Sequence, residues 1–305
     1  MRVVHLNVTS LFSSLLQGEK YPLSLEKTNT IANPHTIEAV TLTPRSKVND
    51  DNLQNLPSLK LIVTRSVGVD HIDKNACKKR NIAVYHIEDY GAFNIAEHTL
   101  ALLLSGTRNI VRSQRNINAG KFEHENLAGF ALRNKTVGII GTGKIGLEFI
   151  KLLKPFDVNV IAYDIFENYE AQKRLGFTYT TFESLLKESD VISLHAPLTP
   201  KTRHMVNQKA IQLMKEDVIL VNTARGDLIN TQDLVKNIVK FRFVGLDVLE
   251  DEASFSKSHP LLAFHNVLIT PHMAYLSEYS LKKICEETEK CITSFMNNNS
   301  SGRIV

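Results

Sequence analysis

Arg225, Glu252 and His272 are three side chains whose types, taken together, suit proton transfer beside an anion. A guanidinium is a planar, permanently charged fork that matches carboxylate and carbonyl oxygens. Histidine exchanges a proton near neutrality, and a neighbouring carboxylate favours its charged form. Arg225 stands in "NTARGDLI" (222–229) after the apolar run "DVILVN", His272 follows Pro271, and Glu252 closes the run "EDE". Each also has a plainer reading. Arg225 could cap a helix or pair with Asp227, His272 could be a loop histidine, and an acidic run is usually solvated.

A second group of residues suits nucleotide binding. In "VGIIGTGKIG", Gly141, Gly143 and Gly146 keep G-x-G-x-x-G spacing. The first glycine allows a tight strand-to-helix turn, the second lets backbone approach a pyrophosphate, and the third allows close helix packing. Alone the motif also fits a ligand-free turn or a methyl-donor fold. Here it follows a strand pattern, opens a helix pattern, and precedes Asp164 by 18 positions from Gly146. That combination predicts a dinucleotide site. A carboxylate at 164 accepts ribose hydroxyls and repels a 2′-phosphate, and Ile165 and Phe166 supply no arginine, so NAD is favoured over NADP.

The elements that must position these groups are legible as alternation. β-rich runs at 135–140, 158–164, 190–195, 217–222, 242–247 and 266–270 are separated by amphipathic stretches. The pattern predicts an α/β fold with a parallel sheet and the six strands of a Rossmann domain. Their carboxyl ends carry Gly141, Asp164, His195, Asn222 to Arg225, Asp247 and, just beyond, His272. Ligands bind at such ends. Residues 1 to about 95 repeat the style with four candidate strands. Residues 94–120 read as one long helix linking the two units, and 276–296 as a final helix.

With 305 residues and 43% hydrophobic content, two globular domains are the prior. The net charge of +4 is dispersed, and "CKKR" (77–80) lacks interleaved aromatics, so no nucleic-acid partner is expected and the cluster reads as a solvated helix end. Cys77, Cys285 and Cys291 have neither metal-ligand nor disulfide-framework spacing, so no metal is expected and a reducing compartment is. His5 and Asn7 interrupt the signal-peptide-like stretch 3–17, and no run is long enough to span a bilayer. A soluble cytoplasmic protein is expected. "NNNSSG" (297–302) reads as a frayed tail.

The ordered motifs "AEHT", "GTGKIG", "HAPLT", "NTARG", "GLDVLEDE" and "TPH" resemble the D-isomer-specific 2-hydroxyacid dehydrogenase family over almost the whole chain. The resemblance implies an NAD-binding Rossmann domain (99–274) facing, across a cleft, a smaller flavodoxin-like substrate domain built from 1–98 and 275–305. It also implies a homodimer, with apolar positions of the 96–111 helix as one candidate contact, and a D-configured product. The family's catalytic arginine, glutamate and histidine fall on Arg225, Glu252 and His272. Its nucleotide contacts fall on Lys144 and Ile145, Asp164, Ala196, Pro197 and Thr202, Thr223, Ala224 and Arg225, and Asp247. Its substrate-carboxylate loop falls on Val67 and Gly68.

Tyr90, seven residues before Glu97, is placed like the tyrosine of the D-lactate dehydrogenase branch, and Ala253 stands where many relatives have proline. Glutamate at 252, where formate dehydrogenases carry glutamine, points away from formate. Pyruvate and D-lactate are the leading pair. Glyoxylate, hydroxypyruvate or a bulkier 2-keto acid is the alternative, and an NAD-sensing binding protein is the alternative of another class.

Overall fold

The computed structural model describes residues 1–8, 12, 14–21, 25–300 and 302–305, so the stretch weighed as a signal peptide lies partly outside the described residues. The chain divides into two compact units, Met1–Gly91 with Leu276–Val305, and Ala92–Tyr275.

In the first unit, β1 (Val3–His5), β2 (Glu19–Lys20), β3 (Ala39–Leu42), β4 (Leu61–Thr64) and β5 (Ala83–His86) form a parallel sheet in the order β2-β1-β3-β4-β5. That is the flavodoxin-like order. Strands β3 and β4 are buried throughout, as a parallel sheet covered on both faces requires. The helix Glu278–Met296 covers one face, setting Cys291, Ile292 and Phe295 against Ala39, Leu61, Val63 and Tyr85. Lys78 and Lys79 are exposed in the last turn of the helix Lys74–Lys79, a solvated helix end.

The 297–302 stretch corrects the frayed-tail reading, with Ser301 outside the described residues. Asn299 O accepts Tyr85 Oη at 2.5 Å, His86 N donates to Gly302 O, and Ile304 N to Val84 O. The tail therefore pairs along the open edge of β5, which satisfies backbone groups that would otherwise face water.

The second unit carries β6 (Thr136–Ile140), β7 (Asn159–Tyr163), β8 (Thr178–Tyr179), β9 (Val191–Leu194), β10 (Val218–Asn222), β11 (Phe241–Leu246) and β12 (Val267–Ile269). All pair in parallel, in the order β12-β11-β10-β9-β6-β7-β8. This is the doubly wound Rossmann arrangement with one further strand. The six expected strands are present, and the seventh, β8, was missed because two residues show no periodicity.

The predicted long helix is two. Ala92–Thr107 ends before Asn109, whose φ of 53° is left-handed, and Ile110–Asn118 begins anew. Asparagine tolerates this conformation, and its amide donates to Ala128 O at 3.1 Å, while Phe130 N caps Thr107 O at 2.7 Å. The first helix packs so closely on β11 that a Cβ at Gly106 would lie 2.1 Å from the Phe243 ring. Leu100, Leu103 and Leu104 are spent on this core.

One buried and one half-buried histidine make stability depend on pH. In the first unit, Thr41 Oγ1 accepts Arg65 Nη1 at 2.6 Å and so turns its hydrogen to His5 Nδ1 (2.8 Å), while His5 Nε2 donates to Gln17 O at 2.7 Å. Burial, reinforced by the Arg65 charge against the opposing Gln17 hydrogen bond, pushes the His5 imidazole down to about 4, and burial pushes His195 to about 3. The unfolded chain therefore binds more protons below about pH 6.5, and stability falls as pH drops from there through the folded values. The melting temperature should decline between about pH 6.5 and 4, and the decline should be shallower in His5→Gln, whose amide can still donate to Gln17. An equal slope in that variant would rule out His5 as a contributor.

Candidate active site

The glycine turn after β6 meets each requirement of its motif. Gly141 has φ 98°, and a Cβ there would lie 2.7 Å from Ala196 N and His195 C. At Gly146 a Cβ would lie 2.1 Å from Gly141 O, so the helix Lys144–Leu153 can start against the turn only with hydrogen at that position. Gly143 differs, since a Cβ there meets nothing within 4 Å. It caps the helix without a side-chain hydrogen bond, and the first-turn N–H groups of Lys144, Ile145 and Gly146 have no earlier helical carbonyl to bond. Open space at the start of a helix, where first-turn N–H groups point, is what a pyrophosphate needs, so the residues fit a dinucleotide.

Asp164 follows β7 and closes the same turn. Its Oδ2 accepts Thr142 N at 2.6 Å and Thr142 Oγ1 at 3.1 Å, and its Oδ1 accepts Phe166 N at 3.0 Å. Tyr179, on the missed strand β8, reaches Thr142 Oγ1 at 2.8 Å. Ile165 and Phe166 lie exposed beside the carboxylate. At the end of β9, His195 meets Ser193 Oγ through Nε2 at 2.9 Å and lies against the Phe149 ring, while its Nδ1 is buried with no hydrogen-bond partner among the described residues. Ala196 is buried against Gly141, and Pro197 O accepts Thr202 Oγ1 at 2.7 Å.

The loop after β10 explains why Arg225 is set among small residues. The buried Asn222 side chain accepts Ala224 N at 3.0 Å and donates to Arg225 O at 2.8 Å, bracketing the turn. Arg225 is half-buried, and its Nη1 donates to Ala224 O at 2.8 Å. Asp227, the alternative partner weighed for it, is paired with Arg203. A Cβ at Gly226 would lie 1.9 Å from Leu249 C, so the loop packs directly on the 249–250 backbone. The Thr223 hydroxyl is buried against Thr99 Oγ1 at 2.8 Å.

Asp247, at the end of β11, organises the turn that bears His272. It is 1% exposed, and its Oδ1 accepts Thr270 Oγ1 at 2.5 Å and Met273 N at 2.9 Å, while Oδ2 accepts Ala274 N at 2.8 Å. Burial acts to raise its pKa, but the hydrogen bonds from His98, Thr270, Met273 and Ala274 outweigh it and hold the carboxyl below its ordinary value. His272, with φ 51°, is kept in left-handed backbone by its N–H on Asp247 O at 2.8 Å. Its Nδ1 lies 2.9 Å from Glu252 Oε2, and Leu249 N donates to Glu252 Oε1 at 3.3 Å. A carboxylate only accepts, so Nδ1 carries the hydrogen and Nε2 is left to exchange a proton with a ligand.

In the first unit, Val67 and Gly68 follow β4. Their carbonyls accept His86 Nδ1 (3.0 Å) and Ser66 Oγ (2.7 Å). Tyr90 is half-buried, with its carbonyl on Ser280 Oγ at 2.9 Å. Asn222, His98 and Thr270 were not singled out individually; an asparagine ending a buried strand ahead of a tight loop was the available signal.

Residues 100–274 match the family model "D-isomer specific 2-hydroxyacid dehydrogenase, NAD binding domain". The chain belongs to the D-isomer-specific 2-hydroxyacid dehydrogenase family. It is 34% identical to a 2-hydroxyacid dehydrogenase homolog of Haemophilus influenzae, over 90% of this chain and 89% of that one. The crystal structure of D-lactate dehydrogenase from Aquifex aeolicus, complexed with NAD and lactic acid, superposes with a TM-score of 0.90 at 34% identity, covering 98% and 97% of the two chains. Against the D-3-phosphoglycerate dehydrogenase of Archaeoglobus fulgidus, 38% identical, the chain covers 78% of itself and spans 45% of the relative's length. The family's coenzyme is NAD, and the turn described above is where this chain would hold it.

The glycines separate packing from binding. Gly143→Ala should fold with only the small loss of melting temperature that an alanine N-cap brings, yet weaken NADH binding by about tenfold or more, because the methyl fills space that the pyrophosphate needs. Gly146→Ala should instead lower the melting temperature, since its methyl meets backbone. Equal NADH affinity in wild type and Gly143→Ala, measured by fluorescence titration, would remove Gly143 from the cofactor site.

Proposed function

We propose that the protein is an NAD-dependent oxidoreductase that interconverts a 2-keto acid and a D-2-hydroxy acid, with pyruvate and D-lactate as the leading pair. The observation that carries this reading is the His272 Nδ1 to Glu252 Oε2 contact on the sheet rim that also bears Arg225 and the glycine turn. When bound, NADH supplies the hydride. Arg225 holds the substrate carboxylate and carbonyl oxygen, and Val67, Gly68 and Tyr90 of the first unit are proposed as substrate contacts on the family resemblance alone. As charge grows on the carbonyl oxygen, the His272 imidazolium gives up its Nε2 proton, and Glu252 on Nδ1 stabilises the charged ring until then. Oxidation reverses the steps, with neutral Nε2 as base.

The lactate assignment is supported by likeness to the proteins named D-lactate dehydrogenase in Aquifex aeolicus and Escherichia coli, and by Tyr90. A glyoxylate or hydroxypyruvate reductase is the second reading, favoured by the glyoxylate reductase of Thermococcus litoralis at 34% identity. The three free, buried cysteines suit a reducing cytoplasm. No helix among the described residues is long and apolar enough to cross a membrane.

The deciding assay follows oxidation of NADH and NADPH with a panel of 2-keto acids, with chiral analysis of the product. Turnover is expected fastest with pyruvate and NADH, giving the D acid. NADH binding without turnover of any panel member would favour a sensor. Glu252→Gln should lower kcat for reduction by about tenfold while NADH affinity holds, because the amide no longer fixes the ring through a carboxylate on Nδ1. His272→Ala should remove most activity in both directions while NADH affinity holds. A wild-type kcat in Glu252→Gln would make that residue a bystander.

A homodimer is part of the proposal. Ile110, Ile117 and Phe122 are exposed, Phe122 at 95%, on and just after a helix with no buried residue. Ile110 and Ile117 stand seven residues apart and so on one face of that helix, and an exposed apolar face suits an interface. Sedimentation at micromolar concentration should give a dimer that Phe122→Asp weakens, whereas a wild-type monomer would dismiss it.

A further inference from the structure

His204 belongs to none of the groups assigned to substrate or coenzyme, yet it joins the two turns that carry Arg225 and Glu252. Its N–H donates to Asp227 O at 2.8 Å, two residues past Arg225. The bridge between Val206 and Ile229 continues that attachment, with Val206 N on Leu228 O and Asn230 N on Val206 O, both at 3.0 Å. The backbone of His204 is thus rooted in the Arg225 turn, in left-handed conformation at φ 53°. Its side chain reaches the other turn, with Nε2 2.5 Å from Glu250 Oε1. The Asn230 amide faces Nδ1 at 3.4 Å, so Nε2 carries the hydrogen and donates.

Glu250 is gripped from a second side, because its Oε2 accepts Thr231 N at 2.7 Å. Burial acts to raise its pKa, but the Thr231 and His204 hydrogen bonds outweigh it and hold the carboxyl low. The backbone just before Glu250 is what matters. Leu249 lies against Gly226, and its N–H holds Glu252 Oε1, whose other oxygen meets His272. Asp227, His204 and Glu250 bring acceptor atoms close enough to suggest a cation site. Asp227 is however occupied by Arg203, and Glu250 by His204 and Thr231 N–H. The cluster uses its charges on donors of its own chain. The Arg203–Asp227 pair lies open to water and contributes little, whereas His204 and Glu250 are more sheltered.

We infer that His204 is a positioning residue that, through Glu250, fixes Glu252 and hence His272 relative to the Arg225 turn. The inference rests on the proposed function for its kinetic consequences and on geometry alone for its structural one. In keto-acid reduction, His204→Leu should lower kcat by about tenfold with NADH affinity unchanged, the pattern of a lost transition-state arrangement. His204→Gln, whose amide can still donate to Glu250, should recover most of that loss. The double variant His204→Leu/Glu252→Gln should be little worse than Glu252→Gln alone, because residues acting through one another do not add. Where His204→Leu does not fold, Glu250→Gln tests the same link, with a kcat loss of about threefold expected.

Full additivity in the double variant, no rescue by glutamine, or wild-type kcat in a folded His204→Leu (in Glu250→Gln, where leucine does not fold) would overturn the inference. If the wild-type protein turns over no keto acid, the proposed function fails and amide exchange decides the matter separately. Faster exchange across residues 248–252 in the His204 or Glu250 variant supports the clasp, and unchanged exchange refutes it.

Discussion

A buried carboxylate cannot be left without donors, and much of the proposed site follows from that constraint at Asp247. Removing an ion from water costs several kcal/mol even after relaxation, and the cost is offset only by close hydrogen bonds. Here the donors are Thr270 Oγ1 and the N–H groups of Met273 and Ala274, with His98 Nε2 at 3.4 Å. The chain at 270–274 therefore has to fold around one point. His272 lies within that turn and takes a left-handed backbone conformation that costs about 1–3 kcal/mol for a residue with a side chain. The stabilised anion holds the strained residue in place, and the imidazole is aimed as a result.

Glu252 and His272 obey the opposite logic. Their side chains retain 41% and 36% of their exposure, so the pair adds little to stability and remains in reach of solvent protons. A pair this exposed is poorly explained as a structural brace. It is well suited to proton transfer, since the carboxylate fixes which nitrogen carries the hydrogen and the other nitrogen changes state. Asp247 and Glu252 are five residues apart in sequence, yet one is buried and spent on holding its turn while the other stays open to solvent.

The sequence discloses these roles unevenly, for physical reasons. Strand identity is carried by apolar runs, so β6, β7, β9, β10, β11 and β12 were legible, as was the rim formed by their ends. Strand β8 was not, because two residues carry no period, although its Tyr179 helps fix the turn through Thr142. The break at Asn109 was missed because the apolar spacing runs through it and only one left-handed residue interrupts it. The glycine turn was legible because its constraints are local. The tie between His204 and Glu250 spans 46 residues and has no local signature.

At the strand ends themselves, position does not determine role. Asn222 and Thr223 both occupy the rim where ligands bind, yet the first is spent on holding the Arg225 turn and the second on Thr99 of the neighbouring helix. Arg225, next but one along, is half-buried, with its guanidinium on the Ala224 carbonyl. Side chains lose the alternation of the strand once the chain turns, so residue type has to decide instead. The Asn222 amide satisfies backbone within its own turn, the Thr223 hydroxyl turns to a neighbouring helix, and the long Arg225 side chain bends back to the carbonyl beside it. The small residues around Arg225 then have a double cause. Gly226 must let the loop meet the Leu249 backbone, and that same contact brings the Glu252 turn beside the arginine's own.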